Sequence, residues 1–328
     1  MATLKEVAAA AGVHPTTVSC IVNGAKGNSR FTEETRARVL RAAEKLGYKP
    51  NQLARQLKWQ RTRTIGFIGG NIRNPFFALL TTCLERELQA RGYDLLLRCR
   101  GSDGDRWNAG ELQDFSGKPI DGLLVWSEDV DAAAVKALSP SLPCVVLCDA
   151  LEALPAVIID IRAGLRAAVR HLAAQGHERL AYFAPAAARA ATGRPGRASL
   201  FAEVVRDEGL PKPVNWIFPG DSWDLAAARD AATTRMQTAA RATAVVAYND
   251  VAACGWLLAA RQRDGALPVV AFDGTDLPRL LYPQAASVDL RISEIAHAAA
   301  RAIMDRLDRP GAAAKSVRVA PRMVSHTG

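Results

Sequence analysis

The sequence predicts an α/β protein with a small helical head and a larger body of two doubly wound parallel-sheet lobes. Three observations predict this organisation. Positive charge is concentrated near the N-terminus, the same segment shows helical spacing of apolar residues, and from Arg63 onward short apolar runs alternate with helical stretches. Such alternation is typical of parallel strands covered by helices. The apolar runs are too numerous for one compact sheet and divide near residue 160, so we expect two similar lobes that face a cleft.

The charge distribution separates the head from the body. Residues 1–64 hold 12 lysines and arginines against 4 glutamates, whereas the other residues hold 30 basic and 29 acidic side chains. A solvated basic tail would not carry apolar residues at helical spacing, as this segment does at Leu4, Val7, Ala8, Ala11, Val39, Leu40, Ala43 and Leu46. A compact basic head on a nearly neutral body favours binding to a polyanion.

Composition restricts the class and the compartment. Hydrophobic residues make up 49% and charged residues 23% of the chain, which is ordinary for a globular protein. We find neither an apolar run approaching about 18 residues nor the pattern of a signal peptide. The six cysteines lack CxxC spacing. We therefore expect a cytoplasmic, nucleoid-associated protein with reduced cysteines and no contact with a membrane.

The first 23 residues predict a helix-turn-helix motif. Thr3 and Glu6 have the spacing of a capping box, which starts a first helix at Leu4. The small Ala8 permits close approach of a second helix, and Gly12 can end the first one in a left-handed conformation. Val18 then packs the second helix, at about residues 15–23, onto the first. In helix-turn-helix proteins the second helix enters the major groove of DNA.

Two more helices are predicted before the body begins. Thr32 can cap a third helix that Gly47 ends. Pro50 and Asn51 can start a short helix over residues 52–58, which is too short to be stable alone in water. We expect a partner chain and DNA to order this segment.

These motifs resemble those of the lactose/galactose repressor (LacI/GalR) family over essentially the whole chain. The resemblance lies in "TLKEVAAAAGVHPTTVSCIVNG", "TEETRARVLRAAEKLGYKPNQLARQL", "RTRTIGFI", "NPFF", "IDGLLV", "HLAAQGHERLAYF", the "ND" at 249–250 and "AFDG". It implies a DNA-binding head at 1–48, a hinge helix and linker at 49–62, and a periplasmic-binding-protein-like effector and dimerisation domain at 63–328. The expected N-lobe spans about 63–161 and 291–320, and the expected C-lobe about 162–290 and 321–328.

The resemblance also implies a set of DNA contacts. Pro15, Thr16 and Cys20 match positions that face base edges, and Leu57 matches a leucine that wedges a base step in the minor groove. The full predicted set is Thr3, Pro15, Thr16, Thr17, Ser19, Cys20, Asn23, Lys26, Arg30, Leu57 and Lys58. His14 replaces the usual Ser or Thr cap of the second helix. Because the base-facing residues lack long amide or guanidinium groups, we expect methyl contacts and DNA shape to matter more than bidentate readout.

Polar residues at strand ends are the candidate effector ligands. Residues of this kind are often caps or turn residues, and Asp250 is best interpreted as a cap. The resemblance assigns effector contacts to Asp149, Arg197, Asn249 and Asp273, with Phe76 and Phe77 stacking on a ring and Trp223 as a weaker stacking candidate. Core packing is the alternative for the two phenylalanines.

Arg189, Arg194 and Arg197 crowd one loop, which favours an acidic effector such as a sugar acid or sugar phosphate; a solvated loop is the alternative. We find no HExxH, GxSxG or phosphate-binding motif, so we predict no enzyme activity, metal or cofactor. The predicted function is a dimeric, effector-responsive repressor of carbohydrate catabolism genes that binds a near-palindromic operator. The alternatives are a sugar-binding protein without gene control and a regulator that requires a purine corepressor.

Overall fold

The structure is a computed structural model that describes residues 2–22, 31–48, 61–102, 106–151, 154–186, 188, 196–237, 242–261, 267–309 and 315–325. The chain divides into two compact units, Met1–Thr62 and Arg63–Gly328. We describe each unit separately and call them the head and the body. No helix among the described residues is long and apolar enough to cross a membrane.

The head contains the helices α1 (Leu4–Ala11), α2 (Pro15–Val22) and α3 (Glu33–Lys45). The capping box of Thr3 and Glu6 is present, and Gly12 ends α1 with a φ of 62°, as the sequence predicts. Val18 is fully buried and holds α2 against α1. The small core of the head consists of Val7, Ala8, Ala11, Val18, Ile21, Val39 and Ala43.

Two of the apolar residues that show helical spacing in the sequence lie at the surface. Leu40 is 48% exposed and Leu46 is 38% exposed. The reason is that α3 presents a single narrow face, marked by Val39 and Ala43, to the two short helices it covers. Helical spacing identified the correct helix but assigned too wide an apolar face to it.

His14 takes over the capping function that the sequence places in doubt. Its Nδ1 accepts a hydrogen bond from the backbone N–H of Thr16 at 3.3 Å and lies 2.8 Å from the Thr16 hydroxyl. The imidazole therefore satisfies an N–H group that a Ser or Thr cap would otherwise satisfy. Arg38 then ties α3 to the end of α1, because its Nε donates to the carbonyl of Ala11 at 2.9 Å.

The body contains two six-stranded sheets of the same strand order. The strands are β1 (Thr64–Ile68), β2 (Asp94–Arg98), β3 (Gly122–Trp126), β4 (Cys144–Cys148), β5 (Ala156–Ile159), β6 (Leu180–Pro185), β7 (Val214–Phe218), β8 (Ala244–Ala247), β9 (Val269–Asp273), β10 (Ala286–Asp289), β11 (Val317–Val319) and β12 (Arg322–Val324). The N-lobe sheet has the order β11-β5-β4-β3-β1-β2, and the C-lobe sheet has the order β12-β10-β9-β8-β6-β7. All pairs are parallel except β10 with β12.

Helices cover the sheets of both lobes. They are α4 (Pro75–Gln89), α5 (Ala109–Ser116), α6 (Ala132–Leu138), α7 (Ile161–Ala174), α8 (Arg197–Asp207), α9 (Leu225–Gln237), α10 (Asp250–Ala260), α11 (Leu277–Leu281) and α12 (Ile292–Asp308). Since every residue of β3, β4 and β9 is buried, these central strands lie between two helical layers. The predicted α/β fold of two doubly wound lobes is confirmed.

The chain crosses between the lobes three times. It passes from β5 of the N-lobe to α7 of the C-lobe, returns from β10 to α12, and crosses again from β11 to β12. The helix α12 belongs to the N-lobe, since it packs against α4 and the N-lobe sheet. All three crossovers leave strands at the same edge of the two sheets. The carboxyl ends of the other strands face the cleft, which is where ligands bind in open parallel sheets.

Candidate functional site

The second helix of the head presents an accessible face of small polar groups. Thr16 is exposed and Pro15, Thr17, Ser19 and Cys20 are half-buried, whereas Val18 and Ile21 face the core. Thr3 is exposed at the start of α1. The other predicted DNA contacts, which are Asn23, Lys26, Arg30, Leu57 and Lys58, lie outside the described residues.

The body encloses a cavity of about 570 Å³ between its lobes. This volume is in the range of small-molecule sites. Residues from the carboxyl ends of strands in both sheets line it. Of the predicted effector ligands, it brings together Phe76, Phe77, Asp149, Arg197, Asn249 and Asp273.

An aromatic wall forms the N-lobe side of this cavity. The rings of Phe76 and Phe77 meet edge to face with their centroids 5.3 Å apart, and both contact Trp126, at 5.7 and 5.0 Å. Phe76 is only 4% exposed and belongs to the hydrophobic core, while Phe77 is partly exposed. Phe76 therefore both packs in the core and lines the cavity. Phe77 exposes more of its ring than Phe76 does.

Gly70 makes room for this wall. Its φ is +70°, and a Cβ built on it would lie 2.1 Å from the ring of Phe77. A side chain at this position would both strain the backbone and displace the aromatic ring. The run "GFIGG" at 66–70 is thus the end of a strand, and its last glycine closely approaches the ring of Phe77.

The carboxylates of the N-lobe side remain accessible. Asp149 directly follows β4 and is exposed, and Glu128, which follows β3, is exposed as well. Glu128 accepts a hydrogen bond from the indole N–H of Trp126 at 3.2 Å, which holds it at the cavity. Accessible carboxylates of this kind accept hydrogen bonds from ligand hydroxyl or amine groups.

Arg197 supplies the positive charge of the C-lobe side. It is the first residue of α8, and its Nη1 donates to the carbonyl of Tyr248 at 3.3 Å. Its guanidinium carbon lies 4.7 Å from the centre of the Tyr248 ring. The buried Nε has no hydrogen-bond partner within the part of the chain that the structure describes. An arginine held this way is ready to bind an oxygen of a ligand.

Asp273 and Asp250 form a buried acidic pair on the same side. Asp273 is 4% exposed and Asp250 is 1% exposed. Burial, together with the neighbouring charge of Asp250, raises the pKa of Asp273 well above its ordinary value. Burial also raises the pKa of Asp250 to about 7, although hydrogen bonds from Thr275 and Ser287 favour its charged form. Both shifts favour the protonated form of the pair, and a protonated carboxyl group can donate a hydrogen bond as well as accept one.

The structure assigns the helix cap to Asn249 and not to Asp250, which the sequence predicted as the cap. Asn249, and not Asp250, caps α10, since its Oδ1 accepts from the N–H of Ala252 at 2.9 Å. Its Nδ2 donates to the carbonyl of Ser222 at 2.9 Å. The amide of Asn249 is thus engaged inside the protein although it lines the cavity. Asp250 is the first helical residue and points to the loop that carries Thr275.

Trp223 does not line the cavity. Its ring is covered by the guanidinium of Arg73, whose central carbon lies 3.5 Å from the ring centroid. Arg73 precedes α4 of the N-lobe, so this contact spans the two lobes. In this structure Trp223 therefore packs within the protein and outside the cavity lining, and its stacking on an effector stays a prediction.

Several cavity residues were missed by the sequence analysis. Among them are Asn74, Arg100, Trp126, Glu128, Ser222 and Tyr248. Trp126, Glu128 and Tyr248 lie at or just after the ends of buried strands, which is the signal that identified Asp149 and Asp273. Ser222 gave no signal in the sequence, because its position depends on how a loop of one lobe meets the other lobe.

A helix-turn-helix head followed by a two-lobed body with a ligand-sized cleft defines a class of DNA-binding regulators. The chain matches a family model described as bacterial regulatory proteins of the lacI family at residues 3–51. It matches a model of a periplasmic binding protein-like domain at residues 169–326.

Individual relatives agree with these two models. The chain is 30% identical to the HTH-type transcriptional repressor PurR of Salmonella typhi, over 99% of this chain and 96% of the relative. It is 28% identical to the catabolite control protein A of Priestia megaterium, over 94% and 93%. A structure of the Lac repressor dimer bound to operator and the anti-inducer ONPF superimposes with a TM-score of 0.80 at 20% identity, covering 99% of this chain and 98% of the other. This chain belongs to the LacI/GalR family of transcriptional regulators.

Proposed function

We propose that this protein is a cytoplasmic repressor that binds a near-palindromic operator as a homodimer and releases or engages it in response to a sugar, sugar acid or sugar phosphate. The observation that carries the proposal is the cavity, which offers an aromatic wall on one side and a partly unpartnered arginine on the other. Aromatic rings stack on the apolar faces of sugar rings. Arginine donates hydrogen bonds to the sugar hydroxyl groups, and carboxylates accept hydrogen bonds from them.

The effector contacts that we propose divide between the lobes. Phe77 and Asp149 bind from the N-lobe, and Arg197 and Asp273 bind from the C-lobe. Asn249 acts indirectly, because its amide is used to hold the loop at Ser222. An effector that contacts both lobes stabilises one relative position of the lobes. In the proposed mechanism, this shift in lobe position alters the operator-binding segments.

DNA affinity and effector affinity are then linked reciprocally. In the proposed mechanism, movement of the N-lobe decides whether the two hinge segments of a dimer, at residues 52–58, can pair in the minor groove. A coupling of about 1–3 kcal/mol is typical of such systems. Control of carbohydrate catabolism genes is the regulatory role we infer, and the similarity to catabolite control protein A of Priestia megaterium supports it.

The effector is identified by thermal unfolding of the full chain against sugars, sugar acids, sugar phosphates and purines. A ligand present at about 100 times its dissociation constant adds about 2.7 kcal/mol of stability. We expect Arg197→Ala to remove this stabilisation. The matched control is Arg229→Ala, because Arg229 pairs with Asp230 on α9 and does not line the cavity. A shift that persists in Arg197→Ala would contradict the assigned site.

The same panel separates the alternatives. A sugar acid or sugar phosphate as the ligand would support anion recognition by Arg197 and would assign a role to Arg189 and Arg194, which lie outside the described residues. A neutral sugar would favour recognition by the carboxyl groups. A purine would favour corepressor control, which is the alternative to a sugar effector.

Operator binding is tested by selection of random double-stranded DNA on the full chain. We expect an inverted repeat to be enriched, with Thr16→Ala changing the selected bases. Leu40→Ala is the control, since Leu40 is an exposed apolar residue on α3 outside the proposed contact face. Leu57→Ala is expected to lower affinity for the selected repeat while sparing effector binding. Failure to enrich any repeat would contradict the proposal.

A further inference from the structure

The cavity is lined by a second arginine with an unused donor, which lies in the other lobe from Arg197. Arg100 follows β2 in the N-lobe, whereas Arg197 begins α8 in the C-lobe, and both line the cavity. The Nε of each side chain is buried and has no hydrogen-bond partner within the described part of the chain. Because a buried donor without an acceptor is costly, each Nε indicates a place for an acceptor atom of a ligand.

Two contacts hold the guanidinium group of Arg100 in place. Its central carbon lies 3.9 Å from the centroid of the Trp107 ring, and its Nη2 donates to Oε2 of Glu111 at 3.2 Å. Trp107 is 4% exposed, and the side chain of Arg100 is 15% exposed. Since ring stacking and an ion pair fix the orientation of this planar group, a ligand oxygen would meet a preorganised donor.

The cluster around Trp107 carries an excess of positive charge. Arg98 also lies over this ring, at 4.6 Å, and donates to the backbone carbonyl of Glu111 at 3.3 Å. Among the described residues, Glu111 is the one carboxylate that forms an ion pair with either arginine. A backbone hydrogen bond from Asn108 and the charge of Arg100 lower the pKa of Glu111, so it is ionised near neutral pH. Two guanidinium groups and one carboxylate leave one positive charge unbalanced.

Two carboxylates that line the cavity from the N-lobe are held by backbone groups rather than by Arg100. Asp129 accepts a hydrogen bond from the N–H of Gly70, and Asp131 caps α6. In the described part of the chain, Arg100 forms its ion pair with Glu111 and not with either of them. The buried Nε of Arg100 is therefore available for an oxygen of a ligand.

We propose that Arg100 is the centre of a second anion subsite, so that the effector is a small molecule with two anionic groups, one bound by Arg197 and one by Arg100. Carboxylate and phosphate groups both suit a guanidinium group, which binds their oxygens through its N–H donors. A sugar acid that also carries a phosphate, or a sugar with two phosphates, has this chemistry. The inference rests on the proposed function, because it takes the cavity as the effector site, and it narrows the effector classes given there.

Inorganic phosphate tests the subsite before the effector is known. Thermal unfolding of the full chain is compared in phosphate and chloride buffers of equal pH and ionic strength, because an anion that binds the folded state raises Tm. We expect Arg100→Gln to reduce this rise in Tm, and the double variant Arg100→Gln, Arg197→Gln to reduce it about twice as much. Phosphate that binds to the basic head contributes equally to every variant, so it does not affect the comparison.

The matched control is Arg98→Gln. Arg98 contacts the same ring and the same glutamate as Arg100, but it is not among the described residues that line the cavity. Its substitution therefore shows what the loss of a guanidinium group from this cluster does without loss of the subsite. Arg100→Lys is a second variant, in case Arg100→Gln does not fold. It keeps a positive charge beside Glu111 but lacks the Nε donor, so we expect a reduced rise in Tm here as well.

A smaller rise in both Arg100 variants, together with wild-type behaviour of Arg98→Gln, is the expected result. Equal rises in the wild type and the Arg100 variants, or a decrease that Arg98→Gln shares, would overturn the subsite.

The ligand found in the effector panel then tests the effector class. We expect a ligand with two anionic groups that binds Arg100→Gln at least about tenfold more weakly than the wild type. A ligand that binds both proteins equally would overturn the assignment of the effector class. A panel without any ligand would contradict the proposed function and the effector class with it, whereas the phosphate comparison decides separately whether Arg100 binds anions.

Discussion

The two lobes share a strand order but present different chemistry at equivalent positions. In each lobe the first strand pairs with the second and the third, and the fourth strand follows at the centre of the sheet. The fourth strands, β4 and β9, end at Cys148 and Asp273, and both residues have a positive φ, of 85° and 129°. The same backbone position thus carries an apolar thiol in one lobe and a buried acid in the other.

This difference shows that the fold determines where the site lies, whereas the side chains determine which chemical groups it contains. Equivalent strand ends meet at the cleft because of the topology, so both lobes contribute to the site. The N-lobe fills its positions with aromatic rings and accessible carboxylates. The C-lobe supplies Arg197 and a buried acidic pair. The site is therefore two-sided: the N-lobe combines aromatic rings with accessible carboxylates, and the C-lobe combines an arginine with buried acids.

Trp126→Ala is expected to have the largest effect, because it removes the ring that supports the N-lobe wall. β3 of the N-lobe and β8 of the C-lobe hold equivalent places in the two sheets, and they end at Trp126 and Ala247. The substitution therefore gives the N-lobe the residue that the C-lobe has at this position. Trp126 is 2% exposed and contacts both phenylalanines. We expect a loss of about 3–5 kcal/mol in the free energy of unfolding, measured with urea. A loss below about 1 kcal/mol would show that the wall does not depend on this ring.

Gly70→Ala follows, with an expected loss of about 2–4 kcal/mol from backbone strain and from the clash with Phe77. Gly176→Ala is the matched control in the C-lobe. Gly176 also has a positive φ, of +86°, but a Cβ there meets nothing within 4 Å. The control should lose only about 1–2 kcal/mol, due to the backbone alone. Equal losses of unfolding free energy in the two variants would contradict a close approach between Gly70 and the Phe77 ring.

Asp250→Asn tests the acidic pair of the C-lobe through the pH dependence of stability. Because burial raises the pKa of Asp250 to about 7, the folded state binds more protons than the unfolded state between about pH 4 and pH 7. The stability of the wild type should therefore fall as pH rises through that window, by at most about 1.4 kcal/mol per pH unit for this group. The asparagine variant should show a smaller slope in urea unfolding, and an unchanged slope would contradict the assignment.

Asp149→Asn should have the smallest effect on the fold. Asp149 is exposed, and surface changes of this kind usually alter stability by less than about 0.5 kcal/mol. We expect its effector-induced thermal shift to decrease nevertheless. A retained shift would leave the C-lobe side as the sole source of polar recognition.

Strands with long apolar runs could be predicted from sequence, including the edge strand β2, whereas strands without such runs could not. The strands β1, β2, β3, β4, β6, β8 and β9 each carry a continuous or nearly continuous apolar run. β7 lies at a sheet edge and alternates buried with exposed residues, and β10 reads "ASVD". Their pairing depends on tertiary contacts that apolar runs do not report.

The same limit applies to the site. Asp149, Arg197 and Asp273 line the cavity because strand and helix ends meet there, which the resemblance to relatives indicates. Asn249 and Trp223 have partners that come from distant segments, Ser222 and Arg73. No spacing along the chain reveals those partners, so the contacts that these two residues make within the protein could not be predicted.

The measurement that tests the account most directly is operator affinity with and without effector. The full chain is titrated onto its selected inverted repeat by fluorescence anisotropy, in the presence and absence of the ligand found by thermal shift. We predict that the ligand changes affinity about 5- to 150-fold in the wild type and leaves it unchanged in Arg197→Ala. Equal affinities with and without ligand in the wild type would contradict the claim that this cleft controls DNA binding.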